Sequence, residues 1–305
     1  MALGSTHSLR DRYLPLPRIL RWISICLGSL LGLLVVASFI FAMVGRARLN
    51  RTDELPPTLT HLKADPAGIS AGEHVARIHG CQGCHGENLG GEVVADMPLG
   101  LFVASNLTKG HGGIASSYRD EDWDHAIRFG LRPNHRTLVP VMPYRLFNRL
   151  SDTDAAALIA YLKQVAPIDN ELPPTTVRLP GYIVVGIGGM QQLFGHLSQP
   201  PQASPPPRTI AYGAYLASTI CVECHGERLQ GGKHPAPDAP PGPSLVAAAH
   251  WPQQQFATAV TTGIAPGNRK LSDWMPSQRL KYLTDEEIQA LYDYIQTLRP
   301  SATRR

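Results

Sequence analysis

The pentapeptide Cys-x-x-Cys-His occurs twice in this chain, as CQGCH (Cys81, Cys84, His85) and as CVECH (Cys221, Cys224, His225). The pattern is the attachment signature of c-type haem. Two thiols three residues apart can form thioethers with the two vinyl groups of one haem, and the adjacent imidazole then reaches the iron from one face. A polypeptide that closes around such a group twice must build two pockets, each with a sulfur pair on its rim.

Other uses of paired cysteines fit poorly. Zinc sites built from two CxxC pairs usually space them about 15–20 residues apart, whereas 136 residues separate Cys84 from Cys221. Neither copy has the βαβ context of a thioredoxin-like motif. Four of the five cysteines are used by the motifs, and Cys26 lies in an apolar run where a small hydrophobe is its ordinary role. The formal net charge of +4 is modest and gives no reason to expect a nucleic-acid partner. The propionates of two haems would bring the loaded protein near neutrality.

The chain also repeats itself after each motif. HGENLGG (His85 to Gly91) is echoed by HGERLQGG (His225 to Gly232), and residues 123–161 align with 256–294 at a constant shift of 133, with twelve of 39 positions identical. The motif cysteines are shifted by 140, so the second copy has lost seven residues between motif and repeat. Loops absorb such changes far better than packed elements, so two domains of one fold are expected, over 68–165 and 208–300.

Each copy reads as mostly helical. A first helix runs into the haem motif, over about 72–81 and 213–221. A middle helix covers 122–129 and 253–262, and Gly130 and Gly263 stand where a left-handed C-terminal residue is expected. The last helix starts at Ser151 or Thr284. Three residues on, Glu287 completes a capping box, and Asp154 makes a close variant of one. Between the domains, residues 166–207 are rich in proline, which favours an extended, semi-rigid spacer. Within it, 182–194 is apolar but too short to span a bilayer, and is expected to pack on a domain or a partner.

The stretch 22–44 holds 23 residues without a charge. As a helix it would cover about 34 Å, enough for a bilayer core of about 30 Å. A cleaved leader is the alternative, with Gly45-Arg46-Ala47 as its small-residue site, but the run exceeds the usual apolar core of about 7–15 residues. The expectation is a retained anchor: 1–21 cytoplasmic, 22–44 transmembrane and 45–67 a linker. Arginines flank the run on both sides, so charge asymmetry gives little orientation. Attachment of c-type haem outside the bacterial cytoplasmic membrane places the rest in the periplasm.

A haem iron held by one histidine takes a sixth ligand or stays open. Met142 and Met275 are the candidates, each in a Met-Pro pair twelve residues after the shared glycine. Such ligation raises the potential and suits electron transfer. Met97, His111, His125, His135 and His250 are the rivals. A ligating histidine donates its other ring N–H to a carbonyl or carboxylate, and Pro98 and Pro243 lie in loops able to offer one. Trp123, Trp251, Trp274, Tyr161 and Tyr294 are candidates for packing on the porphyrins.

With ASNLTKG (104–110), DEDWDHAIRFGLRP (120–133), VMPY (141–144) and LSDTDAAALIAYL (150–162), the chain resembles the cytochrome c subunits of membrane-bound alcohol, gluconate and aldehyde dehydrogenases. The likeness covers both repeats. It implies an all-α chain of two tandem class I cytochrome c domains behind one N-terminal transmembrane helix. It also implies two covalently bound haem c groups, with His85 and His225 as proximal and Met142 and Met275 as distal iron ligands. The family passes electrons from a catalytic partner toward quinone or an oxidase, so a membrane-bound dehydrogenase or respiratory complex is the expected partner. The chain departs from the family in having two attachment motifs where those subunits typically hold three haems. An electron-transfer protein rather than an enzyme is therefore expected. The alternative is a dihaem enzyme such as a cytochrome c peroxidase or a thiosulfate-oxidising cytochrome, in which one haem is open or unusually ligated.

Overall fold

A computed structural model describes residues 16–51, 65–139, 141–188, 197, 199–234 and 239–299. The start of the expected cytoplasmic segment, most of the 45–67 linker and the end of the apolar 182–194 stretch lie outside them. Helix α1 (Leu16–Leu49) is long and apolar enough to cross a membrane, and it exposes its leucines, valines and phenylalanines along its length.

In domain 1, α2 (Pro66–His79) leads into the short α3 (Gln82–His85), followed by the strands β1 (Glu92–Met97) and β2 (Gly100–Ala104). Next come α4 (Asp120–Asp124), a π-helical turn (His125–Phe129), α5 (Tyr144–Phe147) and α6 (Asp152–Leu162). Strand β3 (Thr176–Val177) and α7 (Leu179–Gly186) follow. Domain 2 repeats the plan with α8 (Ile210–Ile220), α9 (Val222–His225), β4 (Gln230–Gly232), β5 (Gly242–Ser244), α10 (Gln253–Thr262), β6 (Ile264–Ala265), β7 (Arg269–Lys270), α11 (Ser277–Leu280) and α12 (Asp285–Gln296).

The all-α expectation holds for the packed core and fails outside it. Seven short strands form one three-stranded and two two-stranded sheets among the described residues. β1–β2, β4–β5 and β6–β7 are local antiparallel pairs in loops, and β3 joins β2 from beyond α6; all are too short to show a clear alternating pattern in the sequence.

The core of each domain is a crossing of its first and last helices. At Gly72 a Cβ would fall 1.9 Å from the carbonyl oxygen of Ala157, and at Gly213 a Cβ would fall 1.9 Å from that of Ala290. Only glycine lets the two backbones meet this closely. Ala157 and Ala290 are equivalent in the repeat, as are Tyr161 and Tyr294, which close the same contact. Around the crossing, Leu150, Leu158, Ile159 and Trp123 are buried in domain 1, and Leu216, Leu291, Ile295 and Phe256 in domain 2.

The helix ends follow local chemistry. The Ser151 hydroxyl accepts from the Asp154 N–H, and the Thr284 hydroxyl from the Glu287 N–H. Gly130 and Gly263 end the middle helices with φ of 64° and 76°. The middle helix of domain 1 departs from expectation: it widens into a π turn after Asp124, where Arg128 folds back. Its Nε lies 2.5 Å from Asp124 Oδ1, its Nη2 2.9 Å from Asp124 Oδ2 and its Nη1 2.6 Å from Asp152 Oδ1, with Arg128 and Asp124 both buried.

The 166–207 segment begins as part of domain 1 rather than as a free spacer. The Asn106 amide donates to the Ile168 carbonyl at 2.7 Å, the Asn170 amide to the Gly90 carbonyl at 2.9 Å, and β3 pairs with β2. Proline counts in the sequence cannot register such polar pinning. Helix α7 then packs on α1. A Cβ on Gly45 would fall 1.9 Å from the Tyr182 carbonyl oxygen, and one on Gly186 1.9 Å from that of Phe41. Arg48 Nη1 donates to the Val185 carbonyl at 2.9 Å, satisfying an open end of α7.

The two domains dock through a pseudo-symmetric pair of bonds. Asp154 and Glu287 are equivalent acids, third residues of α6 and α12. Each is met by the first helix of the other domain. His74 Nε2 lies 2.8 Å from Glu287 Oε1, and the Tyr215 hydroxyl donates to Asp154 Oδ2 at 2.5 Å. Asp154 is one methylene shorter than Glu287. In its copy the Ser151 N–H donates to the Tyr215 hydroxyl instead, at 3.0 Å, so a tyrosine from domain 2 completes the cap of a domain 1 helix.

Removing one partner of a buried ion pair strands the other. Arg128→Leu is expected to cost about 3–5 kcal/mol, read as a lower thermal unfolding midpoint, with the loss smaller when Asp124→Asn is added. The His74–Glu287 contact gives a pH dependence. The hydrogen bond to Glu287 raises the His74 pKa, a contribution present below the unfolded histidine value and lost as pH rises through the raised one. For Glu287, burial pushes upward but bonds from His74 and Thr284 prevail and lower its pKa, a contribution lost as pH falls through that lowered value. Denaturant titrations across pH are expected to show greatest stability between these two limits, and His74→Gln is expected to remove the alkaline-side fall.

Candidate functional site

The first haem motif is set by the end of α2. Gly80 takes a left-handed conformation, φ 77°, and a tight turn follows in which the His85 N–H bonds the Cys81 carbonyl at 2.9 Å. Cys81, Cys84 and His85 thus lie within about one helical turn. In domain 2, α8 runs straight into Cys221, and the His225 N–H bonds the Cys221 carbonyl at 3.0 Å. Gly86 and Gly226 leave the two motifs with nearly the same backbone, φ 79° and ψ 156° against φ 78° and ψ 159°. Leu89 and Leu229 follow with φ of 59° and 55°, both buried. A left-handed leucine is strained and persists only where its surroundings hold it. Here each leucine carbonyl accepts from a second leucine, Leu107 at 2.9 Å and Leu245 at 2.8 Å.

That pairing fixes the histidines. His85 Nδ1 lies 2.7 Å from the carbonyl of Ser105, two residues before Leu107, and His225 Nδ1 lies 2.7 Å from the carbonyl of Pro243, two residues before Leu245. A carbonyl only accepts, so Nδ1 carries the hydrogen and Nε2 keeps its lone pair for a metal. Burial pushes the pKa of both imidazoles down, against these same hydrogen bonds, which favours the neutral, ligating form. The expected Pro243 carbonyl is the one used. Pro98 is not: the β1–β2 hairpin displaces it, and Ser105 takes the equivalent place. The matching Ser-Asn-Leu (105–107) and Pro-Ser-Leu (243–245) triplets were the available signal.

A cavity of about 430 Å³ opens in domain 1, and Cys81, Cys84, His85 and Met142 all line it. Trp123, Ile127, Phe147, Leu150 and Leu158 make much of its wall. Two donors on the wall, Trp123 Nε1 and Arg132 Nε, are buried without a hydrogen-bond partner. A flat apolar group that also carries carboxylates suits such a wall, because the orphaned donors would otherwise remain a cost. Burial pushes the Cys81 and Cys221 thiols up to about 12. An uncharged thioether meets no such penalty.

The Met-Pro pairs match in detail. Pro143 has φ −80° and ψ 53°, Pro276 φ −81° and ψ 50°, and each methionine carbonyl accepts from the residue after its proline at 2.8 Å. Met275 packs with Cys221 against the domain 2 core, as Met142 packs with Cys81 against that of domain 1. The rivals are placed elsewhere. Met97 and His111 are exposed, and neither they nor His125 and His135 line the domain 1 cavity. Trp274 is largely exposed and meets His234 edge-on, so it is not a wall residue in this structure.

Two wall residues were missed in the sequence. His79 is buried, donates from Nδ1 to the Val75 carbonyl at 2.9 Å, and has its pKa lowered to about 4, first by burial. Arg279 reaches the domain 1 cavity from domain 2. Neither residue is matched by an identical one in the other repeat, and neither sits at a spacing that marks it.

Comparison with known proteins agrees with this geometry. Residues 69–166 match the family described as cytochrome c, and residues 208–295 match that of cytochrome c oxidase, cbb3-type, subunit III. The cytochrome c subunit of the quinone-type alcohol dehydrogenase of Komagataeibacter europaeus is 27% identical over 279 residues, 78% of this chain and 57% of that protein. The fructose dehydrogenase cytochrome subunit of Gluconobacter japonicus is 27% identical over 278 residues, 80% of this chain and 55% of that protein. The gluconate 2-dehydrogenase cytochrome c subunit of Pantoea cypripedii is 31% identical over 180 residues, 54% of this chain and 40% of that protein. The matched part of the chain spans between 40% and 57% of these relatives' length. It contains two cytochrome c domains and resembles the cytochrome subunits of dehydrogenase complexes.

Proposed function

We propose that this chain is a membrane-anchored electron-transfer subunit that holds two haem c groups, one in each of two tandem class I cytochrome c domains. The observation that carries the reading is the paired 2.7 Å contact from His85 and His225 to backbone carbonyls. It leaves one metal-binding nitrogen on each side, beside a sulfur pair, in two segments of matching backbone. Cys81 and Cys84 would hold the first group by thioethers and Cys221 and Cys224 the second. His85 with Met142, and His225 with Met275, would ligate the irons.

When bound, each group supplies a one-electron iron couple, and histidine–methionine ligation raises its potential. The residues' own work is to orient and to exclude. The carbonyls of Ser105 and Pro243 hold the imidazoles in one tautomer. Met142 and Met275 would take the remaining place at each iron, and the apolar wall would limit access by water. That division of labour suits electron transfer better than peroxidase-type chemistry.

Helix α1 would be the anchor and would span the inner membrane once, with the haem domains on the periplasmic side where c-type haem is attached. Helix α7 packs on α1 at Phe41 and Gly45, the C-terminal end of the apolar run, which supports a domain 1 that would lie close to the bilayer surface. The names of the relatives support a dehydrogenase as the partner that would supply electrons, and a respiratory acceptor would lie downstream.

Two measurements test this. Carbon monoxide added to the reduced protein is expected to leave the spectrum nearly unchanged, while Met142→Ala opens one haem and lowers its potential; binding by a large fraction of unmutated haem would turn the reading toward a dihaem enzyme. Gly186→Leu, which must push α7 off α1, is expected to speed amide hydrogen exchange across 182–187 in vesicles while the haem spectra stay as they were.

A further inference from the structure

Arg279 belongs to α11 of domain 2, four residues after Met275, yet its guanidinium works in domain 1. Nη1 donates to the His79 carbonyl at 3.0 Å, two residues before Cys81. The side chain lies so close over Gly80 that a Cβ there would fall 2.6 Å from Nη1 and 2.9 Å from Cδ. It lines the cavity shared by Cys81, His85 and Met142, and its Nε is buried without a hydrogen-bond partner. Among the described residues it makes no ion pair.

Its backbone belongs to the short helix that follows Met275 and Pro276, while its guanidinium lies against the turn that carries Cys81, so one side chain links the two sites.

The repeat sharpens the point. The position equivalent to Arg279 in domain 1 is Leu146, which inserts into the hydrophobic cluster of domain 2. One side of the pseudo-symmetric junction therefore contributes a leucine and the other a cation. Arg279 is half-buried, with its Nε enclosed and unpartnered; leaving a donor so costs stability, and an apolar residue already serves at the matching place.

We propose that Arg279 is a positioning residue for electron exchange between the two haem sites: a fixed cation that favours the reduced state of both, the domain 1 site more strongly, and a hydrogen-bonded crossing from the Met275 segment to the Cys81 segment. This rests on the reading that both segments hold haem. In a low-dielectric interior a unit charge is weakly screened, so the effect persists at high salt.

The test uses the detergent-solubilised full chain with both haems attached. Optical redox titration of Arg279→Leu, which installs the residue domain 1 itself carries here, is expected to shift both midpoint potentials downward, the domain 1 haem further. Arg279→Lys, which keeps the charge, is expected to restore most of the shift. Unmoved potentials in Arg279→Leu, or an equal fall in Arg279→Lys, would overturn the proposal and leave a purely structural role. Mass spectrometry of the unmutated chain separates the two claims: a chain without two thioether-bound haems overturns the functional reading itself.

Discussion

A backbone carbonyl 2.7 Å from Nδ1 of each motif histidine is the contact on which the rest of the structure depends. It decides the tautomer, and with it the direction in which the ring can bind a metal. The carbonyl is in place because a leucine two residues later is tied to another leucine, itself held in a left-handed conformation just past the motif. The strain at Leu89 and Leu229 is maintained by burial on all sides. The pocket, the Met-Pro turn and the helix crossing then complete a shell around the point that the imidazole faces.

The junction between the domains reuses parts that each domain already needs. Asp154 and Glu287 stand at helix N-termini, where an acid is favoured by the unsatisfied N–H groups and the helix dipole. Each then accepts a second bond from the neighbouring domain's first helix. An exposed ion pair between Arg149 and Glu227 adds to these bonds. The two halves differ in chemistry at His74 against Tyr215, at Arg279 against Leu146 and at Arg149 against Tyr282.

What the sequence disclosed was local. The caps at Ser151 and Thr284, the left-handed Gly130 and Gly263, and α10 at Gln253–Thr262 follow from residues within a few positions of one another. The Met-Pro pairs were legible through duplication, which turns a lone methionine into a matched pair. What stayed hidden depends on distant contacts. Ser105 supplies a carbonyl because a hairpin moves Pro98 aside. Arg279 is an unremarkable surface-type residue until the other domain is packed against it. The docking of α7 on α1 needs a glycine on each helix, 141 residues apart, to be read as one surface. The strands are too short for any periodicity, and the π turn at His125–Phe129 accompanies a buried cluster completed by Asp152, far along the chain.

The Tyr215 hydroxyl closes the N-terminus of a helix that belongs to the other repeat. Asp154 does not take the Ser151 N–H itself, and the first repeat borrows that one bond from the second. The two units are thus no longer interchangeable modules. Excision of the second would leave the Ser151 N–H without its partner, so part of the first repeat's stability lies across the seam.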